Sequence, residues 1–273
     1  MKIVNHFLFD NSNKKVDYKP TPNKGGKYIP QYLVMHYTAA TQAKGSVSWF
    51  LSREAQASAH LIIDRDGSIV QFTPFNTVTW HAGLSSWNGL VGLNKYAIGI
   101  ELVNGGRLAK SGSVWICPVD KRAVADSEVI IAKHKNDTTE SGWQSYTDVQ
   151  LQVAVEVASA LVKTYTLKDV VGHEDIAPHR KSDPGPAFPM SSFRSKVMGR
   201  KDSTETIYIT STVVNIRSGA GTQFSPITKP LPKNTKVYIL KKDANWSFVE
   251  VIDTVNGLND IEGWMYGKYL LEK

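Results

Sequence analysis

The sequence predicts an α/β domain to about residue 200, followed by a small all-β barrel or sandwich of some 65 residues. Short β-branched runs such as "YLVMHY" and "YAIGIEL" alternate with helical patterns in the first part, as βα architectures require. One stretch, "TDVQLQVAVEVASALVKTY", has a clear helical period. After "AFPM" the texture changes, and from Ile207 short strands are punctuated by "SGAGT", "LPKNT", "KDANW" and "NGLND".

Residues 1–30 are polar and rich in Lys, Pro and Gly towards their end, and are expected to be an extended lead-in. "QYLVMHYTAA" follows as a strand with a small-residue turn. "SVSWFLSREAQA" places Val47, Phe50 and Leu51 at helical spacing. "AHLIIDRDGSIVQF" is a hairpin around "DRDG". "YAIGIEL" reads as another buried strand. Residues 104–146 are the least regular section, and a lip over a groove is their expected role. In the long helix Thr147 and Gln150 form a capping box, with Ala154, Val157, Ala158, Leu161 and Tyr165 on the apolar face. "KDVVGH" is a short strand that delivers His173. Residues 196–206 are expected to be a linker.

Composition narrows the function. The 273 residues are 41% hydrophobic and 21% charged, ordinary for a globular chain. No apolar run approaches the roughly 20 residues of a membrane span. "MKIVNHFLFDNSNKK" lacks the apolar core and cleavage site of a secretory signal. Synthesis in the cytoplasm is therefore expected, with action elsewhere depending on lysis or dedicated export. The single cysteine, Cys117, excludes an internal disulfide. The net charge of +7 suits an anionic partner, but the basic residues are scattered, which speaks against nucleic acid.

Three strand ends carry the candidate chemistry: His36 after "YLVM", Glu101 after "AIGI" and His173 after "DVVG". Asp183 follows in the stiff loop "HEDIAPHRKSDPGP", where Lys181 also lies. Two imidazoles and a carboxylate, with a fourth position left to water, make a catalytic zinc set. Structural zinc would call for four closed ligands and calcium for more oxygens. Taken singly, each residue has a plainer reading. His36 could be a hydrogen-bonded strand end, Glu101 an ion-pair partner, Lys181 a solvated charge and Asp183 a turn former.

The flanking blocks carry more. "HYTA", "SAHLIIDRDGSIVQF", "WHAGLSSWNG", "NKYAIGIEL" and "GHEDIAPHRKSDPGPAF" occur in this order. The set resembles the zinc-dependent N-acetylmuramoyl-L-alanine amidases of the AmpD-like group, over residues from about 30 to 190. The resemblance implies a mixed central β-sheet flanked by helices, with one zinc ion bound by His36, His173 and Asp183. It implies that Glu101 is the general base and acid, and that Lys181 steadies the oxyanion. Trp80, His81 and Asn94 are expected to line the substrate groove, and His60 to be a buried structural residue. His179 departs from the family pattern, which commonly has Gly there.

"NIRSGAGT", "NWSFVEV" and "GWMYGKYL" resemble the bacterial SH3-like domain, with Ile216, Val237, Ile239, Val249 and Val251 facing a barrel interior. The resemblance implies a cell-wall-binding domain over 207–273, after a catalytic domain over 31–195. The expected activity is hydrolysis of the amide between the lactyl group of N-acetylmuramic acid and L-alanine, on peptidoglycan or muropeptides. The rival is a non-catalytic muropeptide-binding protein on the same fold. That protein would have lost a ligand or Glu101, and none is missing here. Wall-fragment recycling, phage lysis and an exported effector role all fit this reading.

Overall fold

The two longest apolar runs become the central strands of a six-stranded sheet. Its order is Asp169–Gly172, Tyr32–Tyr37, Ala97–Leu102, Leu61–Ile63, Ile69–Gln71, Asp17–Tyr18. The first four strands run parallel, Ile69–Gln71 returns antiparallel, and Asp17–Tyr18 pairs parallel to it, so the sheet is mixed. Both faces are covered, so Tyr32–His36 and Ala97–Ile100 are buried without a break. The computed structural model describes residues 1–199, 206–255, 258 and 261–273. It divides into two units, Met1–Met190 and Ser191–Lys273. No helix among the described residues is long and apolar enough to cross a membrane.

Register places the functional row. Glu101 stands opposite His36, and Gly172 stands opposite Met35, so the chain leaves its strand at His173 level with His36. Partners in register project to the same face of a sheet. His173 opens a short helix, α3 (His173–Ile176), rather than ending the strand.

Helix α1 (Ala43–Leu51) starts earlier than its pattern suggested; Phe50 is buried, but Leu51 faces solvent. Helix α2 (Asp148–Tyr165) buries Ala154, Val157, Ala158 and Leu161, each large residue contributing about 1.5–3 kcal/mol. Tyr165 stays only partly buried. The Thr147 side chain caps the helix by accepting from Gln150 N, but the box is not closed from the other side. The Gln150 amide instead donates to Ile63 O at 3.0 Å and Val103 O at 3.1 Å. Those two carbonyls flank the site end of the sheet, so a cap residue became a clamp.

The first thirty residues are built into the unit rather than leading up to it. Lys2–Val4 and Phe7–Phe9 pair as a hairpin, and Asp17–Tyr18 supplies an edge strand. The section 104–146 is also more regular than expected. Ala109–Ser111, Val114–Ile116 and Ala123–Val124 form a three-stranded sheet, and Val129–Lys133 pairs with Glu140–Gln144 as a hairpin.

Helix α4 (Met190–Met198) opens at the last residue of the first unit, and the second unit continues as a five-stranded antiparallel sheet. Its order is Glu262–Tyr266, Trp246–Val251, Lys236–Asp243, Tyr208–Thr210, Leu270–Glu272. Val214, Ile216, Leu231, Val237, Val249, Val251 and Met265 form its core, with Ile239 packed against them. The linker expected over 196–206 and the turn "NGLND" lie largely outside the described residues.

Candidate metal centre

His36, His173 and Asp183 converge at the site end of the sheet. His36 Nδ1 lies 3.0 Å from His173 Nδ1, and each lies 2.9 Å from Asp183 Oδ2. All three residues are buried. Among the described residues this is the cluster of ligand-type side chains that could hold a metal, its donor atoms lying within 4.8 Å of one another.

The far sides of the two rings decide what the near sides are. His173 Nε2 faces Ala82 O at 3.1 Å, and a carbonyl only accepts, so that nitrogen carries the proton. His81 Nε2 likewise donates to Ala97 O at 3.1 Å, which leaves His81 Nδ1 as an acceptor. That acceptor takes the Nε2–H of His36 at 2.9 Å. Burial, with His173 alongside, pulls the His36 pKa down to about 4, so the ring is neutral near pH 7. Two imidazole lone pairs and a carboxylate oxygen therefore point at one spot. Three acceptors this close repel unless a cation lies among them, and the donor set fits a metal ion.

Glu101 stands in the same row, partly buried, and its Oε2 has no hydrogen-bond partner among the described residues. Burial raises its pKa well above 4.5; Asp183 adds to the shift and Lys181 opposes it. The Lys181 charge is felt at both Glu101 and His36, while its Nζ has no ion-pair partner among the described residues. The loop bearing Lys181 and Asp183 is pinned at several points. Tyr37 and Ser182 share a hydroxyl hydrogen bond of 2.9 Å, Tyr146 Oη donates to Pro184 O at 2.8 Å, and Glu174 N donates to Asp183 O at 2.8 Å.

Two residues expected in the substrate groove make contacts that support the ligand cluster. Both ring nitrogens of buried His81 are engaged by His36 and Ala97. Asn94 Oδ1 accepts from His81 N at 3.0 Å and Ala82 N at 2.7 Å. His81 thus supports the ligand His36 from behind, and Asn94 holds the backbone that carries His81. Gly99 explains the fit: a Cβ there would stand 2.5 Å from His81 Cγ. Trp80 remains 37% exposed and available to a ligand. His60 is buried, with Nδ1 accepting from Thr79 Oγ1 and Gly99 N and Nε2 facing Thr77 O. Burial lowers its pKa to about 3. His179 is exposed and stands outside the ligand cluster.

The sequence reading missed His134 and Glu174. His134 Nε2 donates to Glu174 Oε2 at 2.6 Å, with both side chains buried. The only signal was a histidine in a polar turn, 40 positions away from its partner.

At the strand ends of a mixed α/β sheet, a His-His-Asp cluster that could hold a metal ion thus lies beside a buried carboxylate of raised pKa. The family model described as N-acetylmuramoyl-L-alanine amidase matches residues 26–186, and the chain belongs to that family. A second model, bacterial SH3 domain, matches residues 212–270. The chain is 36% identical over 151 residues to the 1,6-anhydro-N-acetylmuramyl-L-alanine amidase AmpD of Escherichia coli K12, covering 55% of this chain and 62% of AmpD. It is 35% identical over 144 residues to AmpD of Citrobacter freundii, covering 52% and 58%. It is 30% identical over 176 residues to the N-acetylmuramoyl-L-alanine amidase AmiD of E. coli K12, covering 61% and 53%. The match thus spans little more than half the length of each of these curated relatives.

Proposed function

We propose that this chain hydrolyses the amide bond between the lactyl group of N-acetylmuramic acid and L-alanine in peptidoglycan or its muropeptides. The observation that carries the reading is the convergence of His36 Nδ1, His173 Nδ1 and Asp183 Oδ2 beside Glu101, whose buried Oε2 has no hydrogen-bond partner among the described residues. The donor set suits one zinc ion per chain. When bound, it would polarise the scissile carbonyl and bring the pKa of water from 15.7 to about 7.

The chain's own residues do the rest. Glu101 accepts a proton from the attacking water, which its burial-raised pKa favours, and returns it to the departing alanine nitrogen. Lys181 meets the negative charge that develops on the carbonyl oxygen. His81 and Asn94 hold His36 in the required tautomer. Trp80 offers an apolar face to the substrate. The SH3-like unit binds the wall polymer and raises the local concentration of stem peptides, and the net charge of +7 draws the chain to an anionic envelope.

The test is to label amines newly exposed when purified wall is incubated with the zinc-loaded chain. Alanine appears as the new N-terminal residue, and the Glu101→Ala chain exposes none. A zinc-loaded chain that binds wall but exposes no amine is a binding protein, and the enzymatic reading fails.

A further inference from the structure

The hairpin Val129–Lys133/Glu140–Gln144 turns through residues 134–139, and that turn meets the ligand loop with charged and polar groups. His134 is 2% exposed. Its Nδ1 accepts from Asn136 N at 3.2 Å, which leaves Nε2–H to donate to Glu174 Oε2. Lys135 Nζ reaches Glu174 Oε1 at 2.9 Å and also pairs with Asp175. Asn136 Nδ2 donates to Pro178 O at 3.0 Å. Three consecutive residues of the turn therefore grip 174, 175 and 178.

Glu174 is where the grip becomes functional. It follows the ligand His173 directly, and its backbone N donates to Asp183 O. Its Oε2 also accepts from Gly185 N at 3.2 Å. One residue thus closes the loop on which His173 and Asp183 lie, and both of its carboxylate oxygens are satisfied from the hairpin. The platform beneath is rigid. The His134 ring stacks on buried Trp143 at 5.7 Å, and Trp143 Nε1 donates to Ala132 O at 3.1 Å. Gly185, at φ +75°, lies so close to Trp143 that a Cβ would stand 2.8 Å from the ring. A buried carboxylate left without such partners is strongly disfavoured.

We infer that His134 and Lys135 are positioning residues. By holding the Glu174 carboxylate they set the separation of His173 and Asp183, so the hairpin tunes metal affinity without touching the metal. This rests on the reading of His36, His173 and Asp183 as metal ligands.

The test uses the full chain. Zinc affinity is read by competition with a chromophoric chelator, and the cobalt(II) absorption spectrum reports ligand geometry. Both are measured well below the melting temperature of each variant. His134→Phe keeps a ring against Trp143 and loses the N–H. It is expected to bind zinc about 10- to 100-fold more weakly and to shift the cobalt spectrum. His134→Gln, which restores an N–H donor, recovers part of the affinity. Should His134→Phe fail to fold, Lys135→Met at the half-exposed end of the clamp carries the test, with a smaller loss in the same direction. A folded variant with wild-type zinc affinity and an unchanged cobalt spectrum would overturn the clamp while leaving the metal site standing. A wild-type chain that takes up no metal would overturn the metal reading and the clamp with it.

Discussion

Ala82 and Ala97 each offer a carbonyl oxygen that can only accept, and that fixes which nitrogens of His173, His81 and His36 carry protons. Replacing His81 by Phe removes the acceptor of the His36 Nε2–H and frees that ring to turn its proton inward. Zinc affinity is expected to fall about 10- to 100-fold, measured by chelator competition, with wild-type secondary structure retained. Glu101 makes a different prediction. Glu101→Gln keeps the metal site and removes proton transfer, so kcat falls about 10²- to 10⁴-fold while metal content is unchanged. The same substitution reports on pH. Burial raises the folded-state pKa of Glu101 above 4.5, so the folded chain holds its proton to higher pH than the unfolded chain does. Stability from this group therefore falls as pH rises past 4.5. The metal-free Glu101→Gln chain should melt above the metal-free wild type at about pH 8, and the gap should close at about pH 4. Thermal melts across that range check the sign.

At the level of elements, the sheet puts the row in place and α2 clamps the sheet. Gln150→Ala removes the side-chain donor of Val103 O and one of two donors of Ile63 O, which keeps Val103 N, and is expected to cost about 1–3 kcal/mol in urea unfolding. Thr147→Ala removes the cap together with the hydroxyl's bond to Arg65 O and costs about 1–2 kcal/mol. The contrast separates clamp from cap, two roles that the "TDVQ" pattern merged into one. Strands buried on both faces, such as Tyr32–Tyr37 and Ala97–Leu102, were legible because unbroken apolar runs leave little else to be. The strands of 104–146 were not. Lys110, Ser111, Lys133 and Glu140 interrupt them, and exposed two- and three-stranded pairings leave no period of two to read. His36, His173, Asp183 and Glu101 were legible because each ends an apolar run or sits in a stiff loop. His81 misled because "TWHAG" looks the same whether its histidine faces a ligand or the back of another histidine. His134 and Glu174 pair across 40 residues, and no local pattern signals that.

For the whole molecule, two units with separate cores imply separable tasks. Removing residues 191–273 should leave turnover of a small soluble muropeptide near its full value and lower the rate on insoluble wall by about tenfold or more. A pelleting assay alongside the kinetics distinguishes lost binding from lost chemistry. Wall binding by the full chain should also weaken as salt rises from about 0.05 to 0.5 M, because the net charge of +7 contributes through screened attraction. The measurement that bears most directly on the amidase reading is mass spectrometry of muropeptide products formed in heavy-oxygen water. Hydrolysis at the lactyl amide puts one heavy oxygen on the lactyl carboxyl of the sugar fragment and none on the released peptide, which begins at L-alanine. Heavy oxygen in a peptide carboxyl or at a sugar ring carbon, or no cleavage by the zinc-loaded chain, would contradict it.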